Sequence, residues 1–297
     1  MQRALCALLI LNKKIPMNPI RSIKKIALQY QLYFKYRDML AKNKKLKNTE
    51  SKRCFIIGTG PSVKDQDLLR LKDEDTFVVN SFWNHPQYKE INPKYYVMID
   101  WDIFPVGDQK GNFVSDEVIQ KQELLNSCST KFFFHSFGKE FIEKNGLLQN
   151  NRIYYLMNHG VMDEKLKFNI DIEKVIPYTK NVIVASIMIA AYMGFEEIYL
   201  LGCEHDYLAY PAQKYYEKFP HFFKNPYELS NKKSSSYYIM AVMPYEKHIY
   251  NSLILFRNYR LLKEKLSREK PNLKIYNATP NSYLDVFPMV KYEDIIL

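Results

Sequence analysis

Long apolar runs are missing from this chain. The longest near the start, residues 4–11 (ALCALLIL), is eight residues long, against the ~20 a helix needs to cross a bilayer. It follows Arg3 in the manner of a signal-peptide core, but no small-x-small cleavage site comes after it. Cysteine is scarce: Cys6, Cys54, Cys128 and Cys203 lie far apart, with neither metal-ligand nor C-x-x-C spacing. That argues against a disulfide scaffold and sets a reducing, cytoplasmic compartment as the expectation. Glycine (9) and proline (14) are few among 297 residues, while apolar residues make up 47%. This excludes disordered, collagen-like and low-complexity classes and predicts a sizeable core. There is no G-x-S-x-G elbow and no H-E-x-x-H zinc motif.

Acidic residues are nearly absent from residues 1–53, which hold 14 of the 43 Lys and Arg but only Asp38 and Glu50 as acids. The rest of the chain carries 29 basic and 30 acidic residues. The body therefore lacks the electrostatic footprint of a nucleic-acid-binding protein, and no nucleic-acid partner is expected. Within the basic arm, Asn18-Pro19 has the pattern of an N-cap and first helical residue. A helix over about 19–41 would align Ile23, Ala27, Tyr30 and Phe34 on one face, with Lys24, Lys25, Lys35 and Arg37 elsewhere on it. Two readings fit: an amphipathic arm through which residues 1–53 rest on an anionic membrane surface, or a helix packed on the body with a solvated charged face. The expected division is a basic arm over 1–50 and a catalytic domain over 51–297.

The body alternates apolar, β-rich runs with helical stretches. Candidate strands are 53–57, 76–80, 95–99, 131–134, 152–156, 197–201 and 273–276, with helices near 115–127, 138–147, 181–193 and 246–268. That alternation predicts an α/β fold with a mostly parallel sheet. Ligands of such sheets bind beyond the carboxyl ends of the strands, and polar residues collect there: Ser62, Asn80, Asp100, Glu204-His205-Asp206 and Asn277. The first strand runs straight into Gly58-Thr59-Gly60-Pro61-Ser62, whose small residues let backbone N–H groups approach a phosphate or ribose. It is neither a P-loop nor the six-residue dinucleotide fingerprint. The plain structural alternative is a tight turn with Ser62 capping the next helix.

These motifs, in order, carry a resemblance. Strand-Gly-x-Gly-Pro-Ser is followed by strand-Asn (Val78-Val79-Asn80-Ser81-Phe82). Then come a long helix leading into Met193-Gly194-Phe195-Glu196-Glu197-Ile198-Tyr199-Leu200-Leu201-Gly202, and finally Lys274-Ile275-Tyr276-Asn277 with Pro280-Asn281-Ser282. Over residues 52–290 this resembles the bacterial sialyltransferases of glycosyltransferase family 42. It is also similar to 6-hydroxymethylpterin pyrophosphokinase-like proteins and flagellin-modifying transferases. The resemblance implies a single Rossmann-like domain of a GT-A variant with a mobile lid after the sixth strand. It further implies a CMP-activated donor, a surface-glycan acceptor, inversion at the anomeric carbon, no metal cofactor, and association into a homo-oligomer.

Residue by residue, the donor-nucleotide set it implies is Gly58, Thr59, Gly60, Pro61, Ser62, Asn80, Ser81, Glu204, Asn281 and Ser282. Thr59 stands where the family has Asn, Glu204 where it has Asp, and Asn181-Val182-Ile183 where it has Thr-Ser-Gly. Two tyrosine hydroxyls would stabilise the departing phosphate: Tyr207 matches the first, and Tyr215 (or Tyr216) the second. A histidine would take the acceptor's proton. Of the six, His248, near the start of the last long helix, matches best, and His205 is the rival. Asp100 and Asp102, one residue apart, are the fallback for a divalent metal. Two other functions share the same crevice: an ATP- and Mg²⁺-dependent pterin pyrophosphokinase-like enzyme, and a nucleotide-binding homologue without catalysis.

Overall fold

The structure is a computed structural model; it describes residues 19–48, 51–101, 103–105, 113–148, 152–209 and 243–296. Helix α1 (Pro19–Leu40) runs into a 3-10 segment (Ala41–Leu46). The sheet strands are β1 (Arg53–Ile57), β2 (Asp75–Val79), β3 (Tyr95–Met98), β4 (Lys131–His135), β5 (Arg152–Leu156), β6 (Glu197–Leu201) and β7 (Lys274–Asn277). Between and after them lie α2 (Tyr88–Ile91), α3 (Phe113–Gln120), α4 (Gln122–Asn126), α5 (Lys139–Lys144), α6 (Val182–Met193), α7 (Tyr245–Glu269) and α8 (Tyr292–Ile295).

The seven strands form one sheet in the order β5-β4-β3-β2-β1-β6-β7. Every pairing is parallel, including the register Cys54↔Ile198 and Ile57↔Leu201 between β1 and β6. The expected mostly parallel sheet is thus parallel throughout. Parallel strands are buried on both faces, so their sequences are apolar without alternation. β2 (DTFVV) and β3 (YYVM) are buried at every position. The pleat still divides them between two cores. Cys54, Ile56, Phe77, Val79, Val97 and Phe133 face α6 and α7, while Phe55, Ile57, Val78, Tyr96, Phe132 and Phe134 face the shorter helices.

Helix α6 is apolar around its whole circumference and all twelve of its residues are buried, the pattern of a helix enclosed on every side. Asn181 caps it, its Oδ1 accepting from Ile183 N–H at 2.6 Å, and Gly194 ends it in left-handed backbone (φ 100°). Helix α7 buries His248, Ser252, Leu255, Tyr259, Leu262 and Leu266, a stripe at helical spacing. The β5 edge is covered rather than left open. Asn43, in the 3-10 segment after α1, is fully buried, and its Nδ2 donates to the carbonyls of Tyr155 (2.9 Å) and Ile172 (2.7 Å). Leu40 packs there with Met157 and Val175.

The chain builds outward from β1 to β5, then returns through α6 to place β6 on the other side of β1. The strand order therefore reverses between β1 and β6, the kind of switch point beyond whose carboxyl ends sheets of this type bind ligands.

Candidate active site at the β1/β6 switch point

The loops after β1 and β6 lie against each other. Gly58 N–H donates to Leu201 O (2.7 Å) and Gly60 N–H to Gly202 O (3.0 Å). Glycine is required for this approach: a Cβ on Gly58 would overlap Gly202 O, and one on Gly60 would lie 2.7 Å from Gly202 O and inside the Glu204 carboxylate. The chain then enters a 3-10 turn (Pro61–Lys64). No α-helix follows, so Ser62 is not the helix cap of the plain reading. Its N–H instead donates to Glu204 Oε1 at 2.7 Å.

Glu204 is therefore seated in the glycine loop. Burial pushes its carboxyl above the ordinary range, while Ser62 acts in the opposite direction. Neither Glu204 Oε2 nor Ser62 Oγ has a well-formed hydrogen bond although both atoms are buried. Buried polar atoms in that state are where a ligand's own donors and acceptors can bond. The β7 side closes the group: Ser282 Oγ donates to Cys203 O (2.6 Å), Tyr283 N–H to Glu204 O (2.8 Å), and Cys203 N–H to Thr279 Oγ1 (3.0 Å).

Three of the four residues expected to be catalytic meet around Tyr207, just after β6. His205 Nδ1 is 3.3 Å from Tyr207 Oη, and His248 Nε2 is 2.5 Å from the Tyr207 carbonyl. A carbonyl only accepts, so His248 carries its proton on Nε2, and Nδ1 is its basic nitrogen. His205 is buried, and burial pushes its imidazole down to about 3, so it is neutral near neutral pH. Tyr215 and the segment expected to form the lid lie outside the described residues, as does Asp102.

The other expected residues are more dispersed. Thr59 is buried within the loop and Pro61 is exposed at the head of the turn. Asn80 follows β2 in left-handed backbone (φ 49°), its carbonyl accepting from Tyr96 Oη at 2.6 Å. Ser81 Oγ donates to Glu117 Oε2 (3.0 Å) on α3, away from the β1/β6 pair. Asn281 is exposed in left-handed backbone (φ 53°). Asp100 is exposed just past β3, its carbonyl accepting from Ile103 N–H. Among the described residues, no group of three His, Cys, Asp or Glu is placed to hold a metal ion. Two participants escaped the sequence reading. Thr279 anchors the β6 loop from β7, and Tyr259 bonds His205 from α7. Tyr259 stands eleven positions after His248 on one buried stripe, so helical spacing was the signal that could have found it.

The fold defines a class: a doubly wound parallel α/β domain, a class whose members bind ligands at the topological switch point. No protein-family model matches the chain, and no curated protein matches it. Among solved structures it is similar to the sialyltransferase CstII from Campylobacter jejuni, described in complex with a substrate analogue, cytidine-5'-monophosphate. That likeness has 17% identity and a TM-score of 0.44, covering 82% of this chain and 86% of that one. It is similar also to the monofunctional alpha-2,3-sialyltransferase Cst-I from Campylobacter jejuni (18% identity, TM-score 0.45, 82% of each chain). A third likeness is to the MAf glycosyltransferase from Magnetospirillum magneticum AMB-1, at 13% identity and a TM-score of 0.49. It covers 90% of this chain but only 39% of that one.

Proposed function

We propose that the protein is a glycosyltransferase that takes a sugar from a CMP-activated donor and transfers it, with inversion, to a surface-glycan acceptor. The observation that carries this reading is the meeting of Tyr207 and His248 just after β6, three residues beyond the Glu204 that is seated in the Gly58–Ser62 loop, where Glu204 Oε2 and Ser62 Oγ lack a well-formed hydrogen bond. The loop and Glu204 supply close backbone approach and polar groups of both kinds for a nucleoside. The order of motifs along the chain supports a cytidine nucleotide over other bases.

In the transfer, the bond between the anomeric carbon and the donor phosphate breaks as the acceptor oxygen attacks from the opposite face. The phosphate leaves on CMP, and the Tyr207 hydroxyl donates to it as its charge grows. The acceptor's proton passes to Nδ1 of His248, whose Nε2–H is held by the Tyr207 carbonyl. The reading needs no metal, because the phenol offsets the leaving group's charge.

The acceptor belongs at a membrane surface in this reading. Helix α1 leaves Leu28, Tyr30 and Phe34 exposed, with Lys35 and Arg37 on the same helix, a composition suited to an anionic interface. Among the described residues no helix is long and apolar enough to cross a membrane.

The test is thermal stabilisation by CMP, CDP, UDP, GDP and ATP, each with and without Mg²⁺. Ligand at about 100 times its dissociation constant adds roughly 2.7 kcal/mol. A metal-independent shift with CMP or CDP is expected. A shift only with ATP and Mg²⁺, or only with UDP and a metal, overturns the reading.

A further inference from the structure

Three loops meet at the carboxyl ends of β1, β6 and β7, and the third is tied to the other two. Asn277 is fully buried: its Nδ2 donates to Leu284 O (3.0 Å) and its Oδ1 accepts from Thr279 N–H (3.1 Å). Ser282 Oγ donates to Cys203 O and accepts from Leu284 N–H (3.1 Å). Gln66 Nε2 reaches from the β1 side to Ala278 O (3.3 Å). Between the tied Ser282 and Leu284 stands Tyr283. Its N–H donates to Glu204 O (2.8 Å), yet the residue is 55% exposed.

Among the described residues four tyrosines are exposed: Tyr30, Tyr178, Tyr245 and Tyr283. Tyr283 is the one on a loop of the switch point. A phenol ring on a fixed backbone offers a broad apolar face at little conformational cost, because only two side-chain torsions remain to be ordered.

The neighbouring glycine loop narrows what that face can meet. Four of its N–H groups are spent inside the protein: Gly58 on Leu201 O, Gly60 on Gly202 O, Ser62 on Glu204 Oε1 and Val63 on Gly60 O (3.3 Å). Pro61 has none. A phosphate cradle needs such groups turned toward the ligand. With a carboxyl group seated in it instead, the loop suits the uncharged nucleoside better than the phosphate. The broad flat face of a nucleoside is its base, and every base has one.

We propose that Tyr283 is the stacking platform for the base of the bound nucleotide. It is a binding residue and takes no part in the chemistry. Stacking rests on the reading of this site as a nucleotide's, and is independent of the sugar that the nucleotide carries.

The test is titration of CMP into the full chain and into Tyr283→Ala and Tyr283→Phe, followed by ¹H NMR of the ligand. Tyr283→Ala should weaken CMP about 5- to 100-fold, and Tyr283→Phe, which keeps the ring, should stay within about twofold. The cytosine H5 and H6 signals should move upfield on binding to the unaltered protein and to Tyr283→Phe, and that shift should vanish in Tyr283→Ala. If Tyr283→Ala fails to fold, Tyr283→Leu, apolar but without a π face, takes its place. Unchanged CMP affinity on removing the ring overturns the proposal and leaves the donor reading intact. So does a loss in Tyr283→Phe as large as in Tyr283→Ala, or an upfield shift that survives without the ring. If CMP does not bind, UMP, GMP and AMP are titrated in its place. A ring-dependent loss for one of them sinks the cytidine donor alone, and binding of none sinks both.

Discussion

Two buried histidines end strands on the carboxyl edge of the same sheet, in different halves of it. His135 closes β4 in the outer half. Its Nδ1 accepts from Phe137 N–H (3.2 Å) and its Nε2 lies 3.2 Å from Asn158 Oδ1, so the ring caps a 3-10 turn and ties it to the segment just after β5. His205 follows β6 at the switch point, in left-handed backbone, between two phenols and next in sequence to the buried Glu204 carboxylate. Burial lowers both imidazoles, to about 4 and about 3. Burial and a shifted pKa therefore do not separate a structural histidine from a functional one. The partners do: His135 satisfies local backbone and amide groups, whereas His205 joins two phenols, one of them 54 residues away on α7.

The comparison breaks most visibly at the chemistry. His248→Ala should lower turnover about 10²- to 10⁴-fold, and Tyr207→Phe about 10²- to 10³-fold, both with CMP affinity kept. Steady-state kinetics beside CMP titration would separate the two effects, and an affinity loss of the same size would place these residues in binding instead. Gly58→Ala comes next. Its new Cβ meets the Gly202 backbone rather than a yielding side chain, so denaturant unfolding should register a loss of about 3 kcal/mol. A near-neutral result would mean the two loops do not meet as described.

The acid limb sharpens the contrast. Both histidines have folded pKa values below the ordinary 6.5, so the unfolded chain binds their protons first. Stability is then lost as pH falls from about 6.5 toward 3 to 4. His135→Gln and His205→Asn should each flatten that slope by up to one proton, while CMP titration should separate them: only the second should disturb binding or turnover. Glu204 acts with the opposite sign. Its raised pKa means its contribution is present at low pH and lost as pH rises through the folded value. Glu204→Gln should therefore gain stability at neutral pH while weakening CMP binding. Smallest in its effect on function is His135→Ala, which removes a buried ring and both of its hydrogen bonds. It should cost about 2 to 4 kcal/mol in a melting experiment and leave CMP affinity unchanged.

The sheet was legible because parallel strands bury both faces. RCFII, EIYLL and most of their counterparts are short apolar runs that stop at glycine, asparagine or an acid, and all seven expected strands are present with bounds within a residue or so. The all-apolar α6 between them was equally plain. What could not be read was the register between distant segments. That Glu204 reaches back 142 residues to Ser62 N–H depends on β6 lying beside β1, which no local pattern encodes. The 3-10 turn after the glycine loop was missed because Pro61-Ser62-Val63-Lys64 carries capping chemistry suited to an α-helix as well. Asn43 looked like part of a solvated basic run, yet it is buried against the β5 edge; its amide was the one uncharged polar group among lysines. His205 was seen as a candidate base. Its left-handed backbone and its tie to Tyr259, 54 residues away, are tertiary facts.

Hydrogen–deuterium exchange with and without CMP tests the central claim most directly, because it resolves the two halves of the carboxyl edge in one measurement. The account predicts protection of amides at 58–62, 202–207 and 279–283 on adding CMP, with 135–139 after β4 unchanged. Protection confined to the outer half, or none anywhere at saturating CMP, would contradict it.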